Sequence, residues 1–389
     1  MSSLPTTRDV YENLFFAHSG PDSRELTADS RMRFHVGEYE RVLARDAGTF
    51  RGKSLLETGC GPGSHSLILS RLLGPEGRLV SFDLSPVNIA KAERLLSAQQ
   101  APGNYTFRVS AAESFETDDP GFDFVFSHNW LHHSEDEVLS LFNILKPLKV
   151  GGVFYLCTYQ SRTFRALVCE LVRRHSLTFD RAAFLRLVPM CFPGGFARYS
   201  FFQIIHYENI IDDYLVPNVR FGHLDEMLPA LARCGLQAID AGISQLLRQP
   251  TLFHLEDLPL KVAFTKTRHF DRVEDFRREL ASVFSPSVLP FLPPEAAHLP
   301  ALSERAYAAQ SSIDGRMLLS LALHGLRCDF ATSANNASER FRAMERLLTA
   351  VATGDHAAYS LHAPDTWATK EHPLAREIVE STPYTRPTT

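Results

Sequence analysis

Between residues 54 and 158, short apolar runs alternate with longer stretches of helical periodicity. No other property of the chain restricts its fold as much. The strand candidates are 54–58, 78–83 (RLVSFD), 105–110 (YTFRVS), 122–127 (FDFVFS) and 152–158 (GVFYLCT). Helix candidates lie between them at 64–73, 86–98 and 135–145, with a further one at 163–174. This alternation predicts an α/β fold with a parallel sheet covered by helices on both faces. The rhythm stops at 176–222, a stretch rich in aromatic residues that contains Pro189, Pro193, Gly194, Gly195 and Pro217. An insertion after the fifth strand is the simplest account. A helix at 223–233 then resumes the pattern, ended by Gly235, and strands follow at 236–243 and 260–266.

The flanks have a different character. Residues 1–50 read as helical, with Val10, Leu14 and Phe15 at helical spacing and Val36, Tyr39, Val42 and Leu43 likewise. From 268 onward the chain reads as all-helical. Phe270, Val273, Phe276, Leu280 and Val283 make one apolar stripe; Phe341, Met344, Leu347, Leu348 and Val351 make another. A chain of 389 residues suits one large domain with an appended region. The expected division is 1–50 (N-terminal helical segment), 51–267 (main α/β domain with the insertion 176–222) and 268–389 (helical C-terminal region).

The net charge of -5 argues against a phosphate backbone as the main partner, so nucleic acid is not expected. Arg162, Arg165, Arg173, Arg174, Arg181 and Arg186 form a local basic cluster. It is read first as a solvated helix face, then as a pocket for an anionic small molecule, and last as an RNA contact. The six cysteines form no C-x-x-C pair, which suits reduced thiols. The segment MSSLPTTRDVYENLFF lacks the pattern of a secretory leader. No apolar run approaches the roughly 18–20 residues that span a bilayer. A cytoplasmic protein without membrane attachment is the expectation.

The stretch that points to a ligand is Glu57-Thr58-Gly59-Cys60-Gly61-Pro62-Gly63, which leaves the first strand and enters the first helix. Glycines at such a turn let a ligand approach the backbone closely. A dinucleotide would place its pyrophosphate here. Glu57, at the end of the strand, would repel a pyrophosphate and suits a ligand carrying positive charge. Asp83 ends the second strand, where an acid accepts hydrogen bonds from ribose hydroxyls. Asp83 alone also fits a helix cap.

Glu57, the three glycines, Asp83 and FDFVFSHNWLHH at the fourth strand together resemble the class I S-adenosylmethionine-dependent methyltransferases, over roughly 54–267. The resemblance implies a Rossmann-like, doubly wound, mostly parallel sheet of seven strands, with 260–266 returning antiparallel. It implies S-adenosyl-L-methionine as cofactor and S-adenosyl-L-homocysteine as its product. Carried over by residue, Glu57, Gly59, Gly61 and Gly63 line the methionine portion. Asp83 holds the ribose and Leu84 packs on the adenine. Ala112 and Glu113 sit by the adenine edge, and His128 and Asn129 face the methionine portion and the acceptor. Many relatives have an acid where Ala111 stands, so the adenine amino group is left to water, backbone or Glu113.

Methyl transfer needs alignment and exclusion of water. A base is needed only where the acceptor must lose a proton. His132, His133 and His128 are the catalytic candidates, since histidine titrates near neutral pH; the alternative is that they only open the next helix. Neighbouring histidines on one loop do not converge on an ion, and no metal is expected. The aromatic insertion suits the wall or lid of an acceptor pocket. Tyr11, Phe15, Phe16 and His35 would close over the cofactor. The favoured function is methyl transfer to an O, N or C atom of a small molecule, in bacterial specialised metabolism. The alternatives are a protein or RNA methyltransferase that docks its substrate on the C-terminal region, or a non-catalytic module of the same fold. An NAD enzyme is the remaining option. A homodimer is open.

Overall fold

Successive side chains of a strand point to opposite faces of its sheet, and here both faces are apolar. In the computed structural model, which describes residues 6–10, 29–119, 121–191, 210–240, 259–280, 283–328 and 337–355, the main strands are β1 (Ser54–Thr58), β2 (Arg78–Asp83), β3 (Asn104–Val109), β4 (Phe122–His128) and β5 (Leu148–Thr158). Leu55, Leu79, Phe124, Phe126, Val153 and Tyr155 enter one core. Their chain neighbours Leu56, Val80, Val125, Phe154 and Leu156 enter the other. A sheet with two apolar faces must be covered twice, which is why helices alternate with strands.

On the first face lie α1 (Asp29–Leu43) and α2 (Ser64–Leu73), which contribute Tyr39, Leu43, Ile68, Leu69 and Leu73. The opposite core takes up α4 (Glu137–Leu145) and α5 (Leu224–Arg233). The helix between β2 and β3, α3 (Pro86–Ala98), starts on Ser85, whose Oγ accepts from the Asn88 N–H, with Pro86 preset for the first turn. Asp136 caps α4 by accepting from Leu139 N at 3.0 Å.

Two further strands, β7 (Leu236–Ala238) and β8 (Leu260–Lys266), complete a sheet of seven in the order β3-β2-β1-β4-β5-β8-β7. β1, β2, β3, β4 and β5 pair in parallel, while β8 runs antiparallel to both β5 and β7. This is the seven-stranded, mostly parallel Rossmann-like sheet expected, with 260–266 as the returning strand. β1 lies between β2 and β4, so the chain first winds outward through β2 and β3 and then crosses back. In open α/β sheets ligands bind at such a switch point, beyond the carboxyl ends of the strands.

Among the described residues, the all-helical expectation from 268 onward fails at one place. Phe284–Ser285 (β9) pairs antiparallel with Phe221–Gly222 (β6) to form a second, two-stranded sheet. Two residues are too short a run for a period of two to register in the sequence. The 236–243 expectation shortens to Leu236–Ala238, and 241–243 lie outside the described residues.

By internal contacts the chain forms two units. One comprises 1–160, 217–250 and 259–286; the other comprises 161–216, 251–258 and 287–389. The second unit contains the helices Phe164–Ser176, Arg181–Cys191, Leu299–Ala309, Ile313–Cys328 and Ala337–Thr353, and a π-helical turn at Ile211–Leu215. In it Arg165 and Arg173, read from sequence as part of a solvated face, turn inward. Arg165 Nη2 meets the fully buried Asp213 carboxylate at 2.7 Å, and Arg173 Nη1 donates to the Val216 carbonyl at 2.6 Å. Among the described residues no helix is long and apolar enough to cross a membrane.

Candidate active site at the carboxyl edge of the sheet

The turn after β1 needs its glycines for different reasons. Gly59 has φ 66°, and a Cβ there would lie 2.3 Å from the Trp130 ring. Gly63 has φ 93° and would meet the Ala92 backbone at 2.7 Å, so it lets α2 approach α3. A Cβ on Gly61 would meet nothing within 4 Å. Gly59 and Gly63 thus serve the protein's own packing, and Gly61 alone borders open space.

Glu57 shares the face of Leu55 and so turns toward α2. It is 3% exposed. Its Oε2 accepts from Ser66 Oγ at 2.6 Å and Ser81 Oγ at 2.7 Å. Its Oε1 accepts from no described residue. Burial pushes the acid up from 4.5 to about 7; the charge of Asp83 adds to the rise, and the two serines act against it. Asp83, 9% exposed, is also raised by burial, against three donors. Its Oδ1 accepts from Ser85 N at 2.9 Å and Asn88 Nδ2 at 3.1 Å, and its Oδ2 accepts from Gly61 N at 2.9 Å. No described cation pairs with either acid.

Leu84, next in the chain, is half-buried and Ala112 is buried. The Glu113 carboxylate is turned to the loop after β4. Its Oε1 accepts from Ser134 Oγ at 2.6 Å, Glu135 N at 3.1 Å and Asp136 N at 3.4 Å. Asn143 Nδ2 holds the Ala112 and Glu113 carbonyls at 3.0 and 2.8 Å. These residues tie the segment after β3 to the segment after β4.

At the end of β4, Asn129 has φ 57° and is exposed; its Oδ1 accepts from Cys157 Sγ at 3.2 Å. Trp130 Nε1 donates to Thr58 Oγ1 at 2.9 Å, which fixes the indole over Gly59. His132 is fully buried, 3.8 Å from the Tyr159 ring by centroid, with Nδ1 3.0 Å from Thr158 Oγ1. His133, 3% exposed, has Nδ1 2.9 Å from the Asn218 carbonyl. A carbonyl only accepts, so this ring carries a proton on Nδ1. His128 is half-buried. Burial, and after it the charges of Lys261 and His35, pushes its pKa down to about 3, so the ring is neutral throughout the neutral range.

A group that sequence reasoning did not assemble surrounds His128. Its ring meets His65 at 3.9 Å, and His65 meets His35 at 4.7 Å. The Tyr39 hydroxyl is 2.6 Å from His65 Nδ1. Tyr155 Oη donates to Glu38 Oε1 at 3.0 Å, and Lys261 pairs with the other oxygen of that buried acid. Five elements supply these residues, and no local spacing announces the group they form. Among the described residues no group of three or more His, Cys, Asp or Glu side chains is arranged to hold a metal. Tyr11, Phe15 and Phe16, expected to close over the site, lie outside the described residues, as do Phe192, Phe196, Tyr199, Phe201, Phe202, His206 and Tyr207 of the aromatic insertion.

Residues 49–183 match the family model of a methyltransferase domain. An uncharacterised methyltransferase of Schizosaccharomyces pombe is 28% identical over 138 residues, 34% of this chain and 49% of that protein. A ubiquinone/menaquinone biosynthesis C-methyltransferase of Pseudomonas fluorescens is 26% identical over 144 residues, 36% of this chain and 55% of that protein. The chain thus spans about half the length of the curated relatives it matches. Among solved structures, a SAM-dependent methyltransferase from Aquifex aeolicus aligns with 34% of this chain and 73% of its own, at 16% identity and a TM-score of 0.29.

Proposed function

We propose, from the match of residues 49–183 to a methyltransferase-domain model and the resemblance of the glycine turn and its two acids to the class I S-adenosylmethionine-dependent enzymes, that this protein transfers a methyl group from S-adenosyl-L-methionine to a small-molecule acceptor. The observation that carries the proposal is the bridge from Asp83 Oδ2 to Gly61 N. It brings the end of β2 against the glycine turn, beside two buried acids without a cation and the open side of Gly61. A cationic nucleoside fits that donor and acceptor set. A dinucleotide does not, because Glu57 would repel its pyrophosphate.

The cofactor, when bound, supplies an electrophilic methyl group on a sulfonium. The chain's residues bind and orient. An ionised carboxylate has about four lone-pair sites. Protein donors take three of those on Asp83, which leaves about one for a ribose hydroxyl. Trp130, held by Thr58, keeps the glycine turn in place. His128 stands at the end of β4 as a neutral ring, so it adds no positive charge beside a cationic ligand. With its pKa held at about 3, His128 is too weak a base to take a proton at neutral pH, so its part is that of an uncharged ring beside the ligand. His132 and His133, anchored by Thr158 and Asn218, are positioning residues of the same loop.

The relative from Pseudomonas fluorescens, a C-methyltransferase of ubiquinone/menaquinone biosynthesis, supports an acceptor of small-molecule type. A metabolite of a specialised pathway is the finer form of this proposal. The test is incubation with S-adenosyl-L-methionine carrying a labelled methyl group and an extract of the source cells, followed by separation by size. Label in the small-molecule fraction is expected. Label on protein or RNA would overturn the small-molecule assignment. Asp83→Ala should weaken cofactor binding by about 1–3 kcal/mol through lost charge-assisted hydrogen bonds; unchanged affinity in a calorimetric titration would dismiss the ribose contact.

A further inference from the structure

Glu57 and Asp83 pose an electrostatic problem that the chain does not solve by itself. Both are more than nine-tenths buried, on adjacent parallel strands. Neither pairs with a described cation. Asp83 is compensated by three donors, two of them backbone N–H groups. Glu57 has only two serine hydroxyls, both on Oε2. Its Oε1 accepts from no described residue, although the side chain is 97% enclosed. A buried carboxylate in that state is costly and is relieved either by a proton or by a cation.

Given the cofactor assignment above, on which this rests, we infer that Glu57 distinguishes the charged cofactor from its demethylated product by exchanging a proton with solvent. With S-adenosyl-L-methionine bound, net charge +1, Glu57 is the carboxylate. When the methyl group leaves, the electron pair of the broken S–C bond stays on sulfur and the sulfonium becomes a neutral thioether. S-adenosyl-L-homocysteine keeps the ammonium and the carboxylate but has lost the sulfonium charge, so the pull that holds Glu57 ionised weakens and the acid takes up a proton from water. The acid therefore favours the methyl donor and loses its hold on the product.

Other titratable groups face Glu57. Asp83 approaches from β2, Cys60 from the glycine turn and Tyr39 from α1, each coupled to it by charge. Burial raises all three, and Tyr39 and Cys60 rise well above their usual values, so neither ionises near pH 7. From α2, Ser66 holds the acid, and its chain neighbour His65 meets the His35 and His128 rings. Glu57 itself is raised to about 7, which places its exchange in the neutral range.

The test is calorimetric titration with S-adenosyl-L-methionine and, separately, S-adenosyl-L-homocysteine, at pH 7 in buffers of different protonation enthalpy. Binding of the methyl donor should release about half a proton per site, as for a group near its midpoint, and the product should release much less. From pH 6 to pH 8 the preference for donor over product should rise about tenfold. Glu57→Gln should abolish the release and flatten that pH dependence. No release with the donor, equal release with both ligands, or a release that persists in Glu57→Gln would overturn the inference. If the variant does not fold, the two proton counts of the native protein decide. If neither ligand binds, the cofactor assignment fails and this inference fails with it.

Discussion

Glu57 lies in a strand whose other residues are apolar or small, and its burial affects stability as well as binding. Its folded pKa is raised from 4.5 to about 7. The folded state therefore holds this proton where the unfolded chain has lost it. The stabilisation is complete below about pH 4.5 and is lost as pH rises through about 7, at a cost of roughly 3 kcal/mol by pH 8. Glu57→Gln should thus melt above the native protein at pH 8 without cofactor, and the gap should close toward pH 5. Thermal unfolding across that range checks this, and a gap that does not change with pH would contradict it. Glu57, Gly61 and Asp83 were legible in the sequence because each ends a strand or opens a turn. Their donors Ser66, Ser81 and Asn88 were not, because a serine on a helix or within a strand looks the same whether it faces an acid or a backbone carbonyl.

At the level of elements, helix ends decide much of the geometry, since the last turn of a helix leaves carbonyls without partners. α4 resolves this with a residue from a distant strand. Lys266 Nζ, on β8, donates to the carbonyls of Leu145 at 2.8 Å, Lys146 at 3.1 Å and Leu148 at 2.6 Å. Its ammonium also sits 4.6 Å from the centre of the Phe270 ring. One residue thus ties the end of α4, the start of β5 and the last strand of the sheet. Lys266→Met keeps the apolar stem but removes three charge-assisted bonds. It should cost about 2–4 kcal/mol and lower the urea midpoint with little change in m. The sequence showed α4 and β8 through their periodicity. The bond between them was not visible, because 121 residues separate the donor from its first carbonyl.

At the scale of the whole molecule, each of the two units has its own buried charge problem. In the second, Asp213 has no exposed side-chain surface and meets Arg165 and Arg327. Burial alone would raise this acid, but the two guanidinium groups outweigh it and hold its pKa below 3.8. The stability it provides is present above about pH 4 and is lost as pH falls through the folded value. Asp213→Asn should cost about 3–5 kcal/mol, as removal of one partner of a buried pair does. Because Glu57, Gly61 and Asp83 all belong to the first unit, affinity for S-adenosyl-L-methionine at a temperature where the variant is folded should be unchanged. A fall in affinity would show that Asp213 also acts on the cofactor site. The sequence by itself determined the parallel sheet, because a strand buried on both faces must be apolar throughout and that run is written locally. It also determined the glycine turn and the two acids, since each follows directly from a strand end. The tertiary structure alone decided which polar groups meet. The serines on Glu57, the row of His35, His65 and His128, the inward turn of Arg165 and the lysine at the end of α4 all join residues far apart in the chain. Their pairing depends on the enclosure that folding creates, where a buried charge must find a partner.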